Sequence, residues 1–297
     1  MIEGVLLKGY GGFYYVYAED RVWECSLRGR FRIKDQDFLP GDRVRILPEG
    51  DQKARIEGVE PRLNSLSRPP VANVDQALLV FAMTSPKPDL NLLDRLLIQV
   101  ADSEIKPILV FTKLDKYLSE ASDADSSGQY FIADVYRQIG YTVFEVSNKT
   151  EEGIQELRNH LTEKISVLAG PSGSGKSSLF NALSQGKQLK TGEISQKSQR
   201  GRHTTRHVEL MVCAGGLVAD TPGFSSLYLP KMKRQDLAGY FPEFAERRRE
   251  CRFNTCLHDK EPNCAIKAAR EHGEISSTRY EHYQIFLQEV IAAERRY

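Results

Sequence analysis

A chain of 297 residues with 40% hydrophobic and 27% charged side chains has the length for about two domains and an ordinary globular makeup, which excludes collagen-like and disordered chains. Its 41 Lys and Arg against 40 Asp and Glu leave a net charge of +1, so overall charge carries no footprint of a nucleic-acid partner. The distribution is uneven: residues 69 to 165 hold 9 basic against 15 acidic side chains, whereas residues 186 to 206 hold 6 against 1, a short anion-seeking stretch.

From residue 1 to about 68, short alternating runs (Gly4 to Lys8, Phe13 to Tyr17, Arg21 to Leu27, Asp42 to Leu47, Ala54 to Glu60) are separated by turn residues such as Gly11, Gly12 and Pro40-Gly41. Five short strands predict a small closed barrel, of OB-fold or SH3-like type. Asn64 to Ala72, with Pro69 and Pro70, reads as a linker. Apolar strand patterns then alternate with helical ones. Strands are expected at Gln76 to Ala82, Pro107 to Thr112, Thr142 to Val146 and Ile165 to Ala169, and helices at Leu90 to Ala101, Tyr130 to Ile139 and Ile154 to Leu161. This predicts a doubly wound α/β sheet, with a polar loop at Ser119 to Gly128. The hairpin His207 to Cys213 and Leu217 to Ala219 would add an antiparallel edge. Beyond about residue 224 the chain reads as mainly helical, ending in an amphipathic stretch from Ile275 to Arg296. The expected domains are therefore 1–68, 69–223 and 224–297. No apolar run approaches the roughly 20 residues of a bilayer span, and the start MIEGVLLKGYGG lacks the pattern of an export signal. A cytoplasmic protein with no membrane partner is expected.

The strand ending at Ala169 runs into Gly170-Pro171-Ser172-Gly173-Ser174-Gly175-Lys176-Ser177-Ser178 and then a helical LFNALS, a match to G-x-x-x-x-G-K-[ST] in its strand-loop-helix setting. Backbone N–H groups of such a loop turn inward around phosphates, helped by the helix N-terminus. Lys176 would reach the β and γ oxygens, and Ser177 would ligate Mg²⁺. Asp220-Thr221-Pro222-Gly223 follows a strand, where a carboxylate would hold Mg²⁺ and Gly223 would offer its N–H to a γ-phosphate. Thr112-Lys113-Leu114-Asp115 looks like the guanine-reading N-K-x-D of GTPases, with Thr112 in place of Asn. Asp115 would accept the N1–H and 2-amino donors that adenine lacks, selecting GTP and GDP, while Lys113 would lie along the base and bond P-loop carbonyls. Ser147 and Asn148 are candidates for backbone contacts to guanine O6. These motifs run base reader, P-loop, DTPG, which is the order of a circularly permuted GTPase.

Four ligands fall within Cys251-x₄-Cys256-x-His258-x₅-Cys264. They suit either a closed structural Zn²⁺ site or reduced, buried thiols. With GRHTT at 201–205, DTPGF at 220–224 and this spacing in one order, the sequence resembles the circularly permuted, ribosome small subunit-dependent GTPase A family over nearly its whole length. The resemblance implies an OB-fold, a permuted P-loop GTPase and a mainly α zinc-binding domain, with zinc at the four ligands. It also implies slow GTP hydrolysis stimulated by the 30S subunit, binding to 16S rRNA and a role in late 30S maturation, alongside other assembly factors and as a monomer.

Switch I belongs at Gly201 to Arg206, where Thr205, or alternatively Thr204, would close on Mg²⁺ and the γ-phosphate. Phe224 stands where many GTPases carry a water-orienting Gln, so unaided hydrolysis should be slow. The resemblance offers His203 as the group that positions water; a surface His in an RNA-facing loop is the alternative. RNA contacts are expected from Arg21, Trp23, Arg28, Arg30, Phe31, Arg32 and Lys34, unless Trp23 belongs to the barrel core, and from Arg247, Arg248 and Arg249. Two other functions compete: an RNA-binding module holding GTP as a structural ligand, which Phe224 favours, and a nucleotide kinase, which Asp115 disfavours.

Overall fold

The computed structural model describes residues 1–27, 37–67, 69–122, 132–184, 208–219 and 228–295. Its first five strands, β1 (Ile2–Tyr10), β2 (Phe13–Ala18), β3 (Arg21–Leu27), β4 (Arg43–Pro48) and β5 (Lys53–Val59), close in the order β1-β2-β3-β5-β4, with β3 and β5 parallel. Alternation drives closure, because every second side chain points inward: Leu6, Val16, Cys25, Val44, Ile46 and Ile56 fill the interior. Trp23 belongs to that interior, 2% exposed, with its Nε1–H donated to Ala18 O at 3.3 Å. It is therefore a core residue and has no face left for base stacking. Arg21 covers the ring from outside, its guanidinium carbon 3.9 Å from the ring centroid.

The stretch read as a linker is a small hairpin, β6 (Ser65–Ser67) with β7 (Pro70–Ala72). Side-chain amides close it and hold it to the barrel. Asn73 Oδ1 accepts from Leu63 N at 2.8 Å, and Asn73 Nδ2 donates to Gly41 O at 2.9 Å. Gly41, at φ +94°, lies so close that a Cβ there would sit 1.9 Å from Ala72 O. The barrel is thus tied to the hairpin by short contacts. Lys8 on β1 adds an ion pair with Glu209 at 2.7 Å.

A six-stranded sheet follows in the order β10-β9-β8-β11-β13-β12. Its strands are β8 (Gln76–Ala82), β9 (Lys106–Thr112), β10 (Thr142–Glu145), β11 (Ile165–Ala169), β12 (Leu210–Cys213) and β13 (Gly216–Ala219), and only β12 runs antiparallel. β8 and β11 are buried on both faces, which explains their largely apolar runs, broken only by Gln76 and Ser166, which bond each other at 3.0 Å. The helices are α1 (Leu90–Asp102), α2 (Leu114–Ser122), α3 (Ile132–Ile139), α4 (Ile154–Leu161) and α5 (Lys176–Ser184). Helix α2 takes up part of the expected polar loop.

The C-terminal region contains three short 3₁₀ segments, α6 (Ala265–Glu271) and α7 (Ser277–Glu294). Its core of Phe241, Phe244, Tyr283 and Phe286 takes in Ile98 from α1, so the region packs directly on the sheet domain. Beside Ile98, Asp94 is fully buried. It accepts from Tyr136 Oη at 2.7 Å, from Arg279 Nη1 at 2.5 Å, and pairs with His282 Nδ1 at 2.6 Å. Arg279 also forks onto Glu243 at 2.8 and 3.0 Å.

Candidate functional site: strand ends around a phosphate loop

In an open parallel sheet, ligands lie at the carboxyl ends of the strands. Here β9, β10 and β11 end in the three segments picked out by sequence. β11 passes into the loop at Gly170, whose φ of +137° and close approach to Val80 O leave no room for a Cβ. Helix α5 then starts at Lys176, with Leu179 N bonded to Gly175 O at 2.8 Å, so the loop ends on a helix N-terminus. Lys176 Nζ donates to Gly170 O at 2.9 Å and Pro171 O at 2.7 Å, lying across the loop's own backbone. Ser172, Ser177 and Ser178 are exposed, the last two in the first turn of α5, while Ser174 is buried.

The base-reading segment abuts this loop. Thr112, fully buried at the end of β9, donates its hydroxyl to Ser174 O at 2.5 Å. Lys113 donates to Gly173 O of the loop at 3.0 Å and to Ser85 O. Leu114 N bonds Val146 O at 3.1 Å, which draws the end of β9 onto the end of β10. Asp115 lies in the first turn of α2, and Ser147 Oγ donates to its Oδ1 at 2.8 Å. The same Ser147 oxygen accepts from Lys149 N and Thr150 N at 3.2 and 3.1 Å, so the carboxylate is oriented by a serine that is itself held. Asn148 is the next residue, and its Oδ1 is buried without a hydrogen-bond partner.

Cys251, Cys256, His258 and Cys264 bring their four ligand atoms within 4.8 Å of one another. Cys251 Sγ lies 3.6 Å from His258 Nδ1 and 3.9 Å from Cys264 Sγ, and His258 Nδ1 lies 3.4 Å from Cys264 Sγ. A tetrahedron of Zn–S bonds of about 2.3 Å has edges of about 3.8 Å, so this cage is of the right size. Burial pushes the Cys256 thiol up to about 12 and raises Cys264; burial also pushes His258 down to about 4, which keeps the imidazole a neutral donor. Behind the ligands, Tyr280 Oη and Gln284 Nε2 donate to His258 O at 2.7 and 3.0 Å, and Tyr283 Oη to Leu257 O at 2.9 Å.

Residues 59–230 match the family model described as RsgA GTPase, and residues 3–56 match that of the RsgA N-terminal domain. The chain belongs to the RsgA GTPase family. It is 52% identical to the small ribosomal subunit biogenesis GTPase RsgA of Moorella thermoacetica, over 297 residues and the full length of both chains. It is 44% identical to that of Bacillus subtilis, again over the full length of both. Among solved structures, YloQ, described as a circularly permuted GTPase, superposes with a TM-score of 0.78 at 38% identity, covering 99% of this chain and 96% of that one. YjeQ from Thermotoga maritima gives 0.78 at 33%, with 98% of each covered.

As an RsgA GTPase the chain is a GTP hydrolase with an N-terminal closed barrel, a circularly permuted GTPase domain and a helical C-terminal region bearing a Cys/His cluster. Family membership implies a guanine nucleotide and Mg²⁺. His203, Thr204, Thr205, Asp220, Gly223, Phe224 and the basic stretch 186–206 lie outside the described residues. So do Arg28, Arg30, Phe31, Arg32 and Lys34. Sequence reasoning missed the Ser147 hydroxyl on Asp115, having offered only backbone contacts there. It also missed Asp94, although an Asp-Arg pair inside the apolar run LNLLDRLLIQV is a signal of buried charge.

Proposed function

We propose that GTP hydrolysis by this chain serves late maturation of the 30S ribosomal subunit. The chain turns over slowly alone and faster on the subunit, and the nucleotide state governs binding to and release from 16S rRNA. The names of its relatives support the subunit as partner. The observation that carries the reading of the site is that Thr112 and Lys113 both donate to P-loop carbonyls, which sets a guanine reader against a phosphate cradle. The division of labour is an RNA-binding barrel at 1–68, the GTPase at 69–223 and a zinc-binding region at 224–297, in a monomeric cytoplasmic protein. Among the described residues no helix is long and apolar enough to cross a membrane.

Gly170 to Ser178 would hold the phosphates through backbone N–H groups, and Lys176 would place its charge on the β–γ bridge as that bond breaks. Asp115, with Ser147 behind it, would take the N1–H and 2-amino protons of guanine. Mg²⁺ held by Ser177, Thr205 and Asp220 would neutralise charge on the transferring phosphoryl group. Gly223 would bond the γ-phosphate, and His203 would position the attacking water. Zn²⁺ at Cys251, Cys256, His258 and Cys264 would be structural, since four protein ligands leave no open position.

Single-turnover GTP hydrolysis with and without purified 30S subunits, for wild type and His203→Ala, tests this. Acceleration by subunits that is lost in the variant is expected; identical wild-type rates with and without subunits would contradict it.

A further inference from the structure

We propose that the side-chain carboxamide of Asn148 binds the N7 and O6 edge of guanine, supplying from the end of β10 the amide that Thr112 lacks at the end of β9. The proposal rests on the reading of residues 112 to 115 as the guanine reader and deepens it.

Thr112 carries one hydroxyl proton, and the proton goes inward. Its Oγ1 lies 2.5 Å from Ser174 O and 3.4 Å from Phe81 O, and the residue is fully buried. An asparagine has two amide protons, enough to tie the P-loop with one and meet a purine with the other. Threonine keeps the tie and gives up the second donor.

Asn148 stands next to the gap this leaves. A Cβ built on Gly175 of the P-loop would lie 3.3 Å from Thr112 Oγ1 and 3.7 Å from Asn148 Nδ2, so the carboxamide and the hydroxyl face the same point of the loop. The residue before it, Ser147, is the one that holds the Asp115 carboxylate at 2.8 Å. The amide is thus carried by the loop that sets the other base contact, one residue along.

Its oxygen is buried without a hydrogen-bond partner, so no protein donor fixes which way the carboxamide is turned. N7 and O6 of guanine are both acceptors, so the amide nitrogen is the end that serves them, while Asp115 accepts from the opposite edge. A carboxamide whose oxygen has no protein donor can turn either end to a ligand. Asn148 therefore adds affinity, and Asp115 does the choosing between guanine and adenine.

Calorimetric titration of the full chain with GDP and with 7-deaza-GDP, in which carbon replaces N7, tests the assignment in wild type, Asn148→Ala and the double variant Asn148→Ala/Thr112→Asn. Wild type should bind 7-deaza-GDP about three- to tenfold more weakly than GDP. Asn148→Ala should bind GDP more weakly by a similar factor and no longer separate the two ligands. The second substitution should restore both affinity and discrimination. Asn148→Asp, of the same shape without the donor, should behave as Asn148→Ala or worse with an unchanged melting temperature. An Asn148→Ala protein that binds GDP like wild type, or that weakens yet keeps the wild-type ratio of GDP to 7-deaza-GDP, would overturn the proposal. Absence of GDP binding by wild type would instead overturn the reading of the site, and the proposal with it.

Discussion

The strand ends around the P-loop and the seam where the C-terminal region meets α1 are both polar, yet they are built on opposite plans. At the seam, charge is matched by charge: Asp94 has three partners, and Arg279 spans Asp94 and Glu243. Burial alone would lower the Arg279 pKa, but the two carboxylates hold it well above its usual value, so the guanidinium stays charged throughout. At the strand ends, Lys113 and Lys176 rest on backbone carbonyls, and Ser174 Oγ and Asn148 Oδ1 are buried without partners. A seam satisfied by its own residues holds two domains together; a face with polar groups to spare is suited to receive a ligand.

Emptying the Cys/His cluster of the Zn²⁺ proposed for it should break the comparison most severely. Cys251→Ser, or chelation, should cost on the order of 10 kcal/mol of folding free energy in the C-terminal region. Metal analysis beside thermal melting would show it, because α7 carries both the tyrosines behind His258 and the Arg279 of the seam. Arg279→Ala should cost about 3–5 kcal/mol in chemical denaturation by leaving Glu243 buried without its cation and Asp94 with only Tyr136 and His282, with GDP affinity unchanged. Lys176→Ala should do the reverse: hydrolysis should fall about 10²–10³-fold with little change in melting temperature. The Lys8–Glu209 pair, at 22% and 41% side-chain exposure, sharpens the contrast from below. Lys8→Ala should change stability by only about 0–1 kcal/mol, and that difference should vanish in high salt.

What could be read in the sequence was what local pattern carries. The P-loop, the TKLD segment and the Cys/His spacing each combine residue type with fixed spacing, and the strands at Gln76–Ala82 and Ile165–Ala169 follow mainly apolar runs. What was hidden depends on partners far along the chain. The β6–β7 hairpin reads as a proline-bearing linker because what fixes it is Asn73 reaching Gly41, 32 residues away. The apolar run around Asp94 marks it as buried, but its partner Arg279 lies 185 residues later. Helix α2 begins inside the TKLD segment, so its first turn carries a motif and its last the polar composition of a loop. Trp23 suits either a stacking platform or the core by residue type alone; the alternation of β3 puts it inside.

The central claim is that the ends of β9, β10 and β11 form one guanine-nucleotide site. Calorimetric titration with GDP and ADP, repeated on Asp115→Asn with xanthosine diphosphate, tests it most directly. The wild type should prefer GDP over ADP by about a hundredfold or more, and the variant should transfer its preference to xanthosine diphosphate, whose 2-oxo group accepts where guanine donates. Equal binding of GDP and ADP by the wild type, or an Asp115→Asn variant that keeps the wild-type preference, would contradict it.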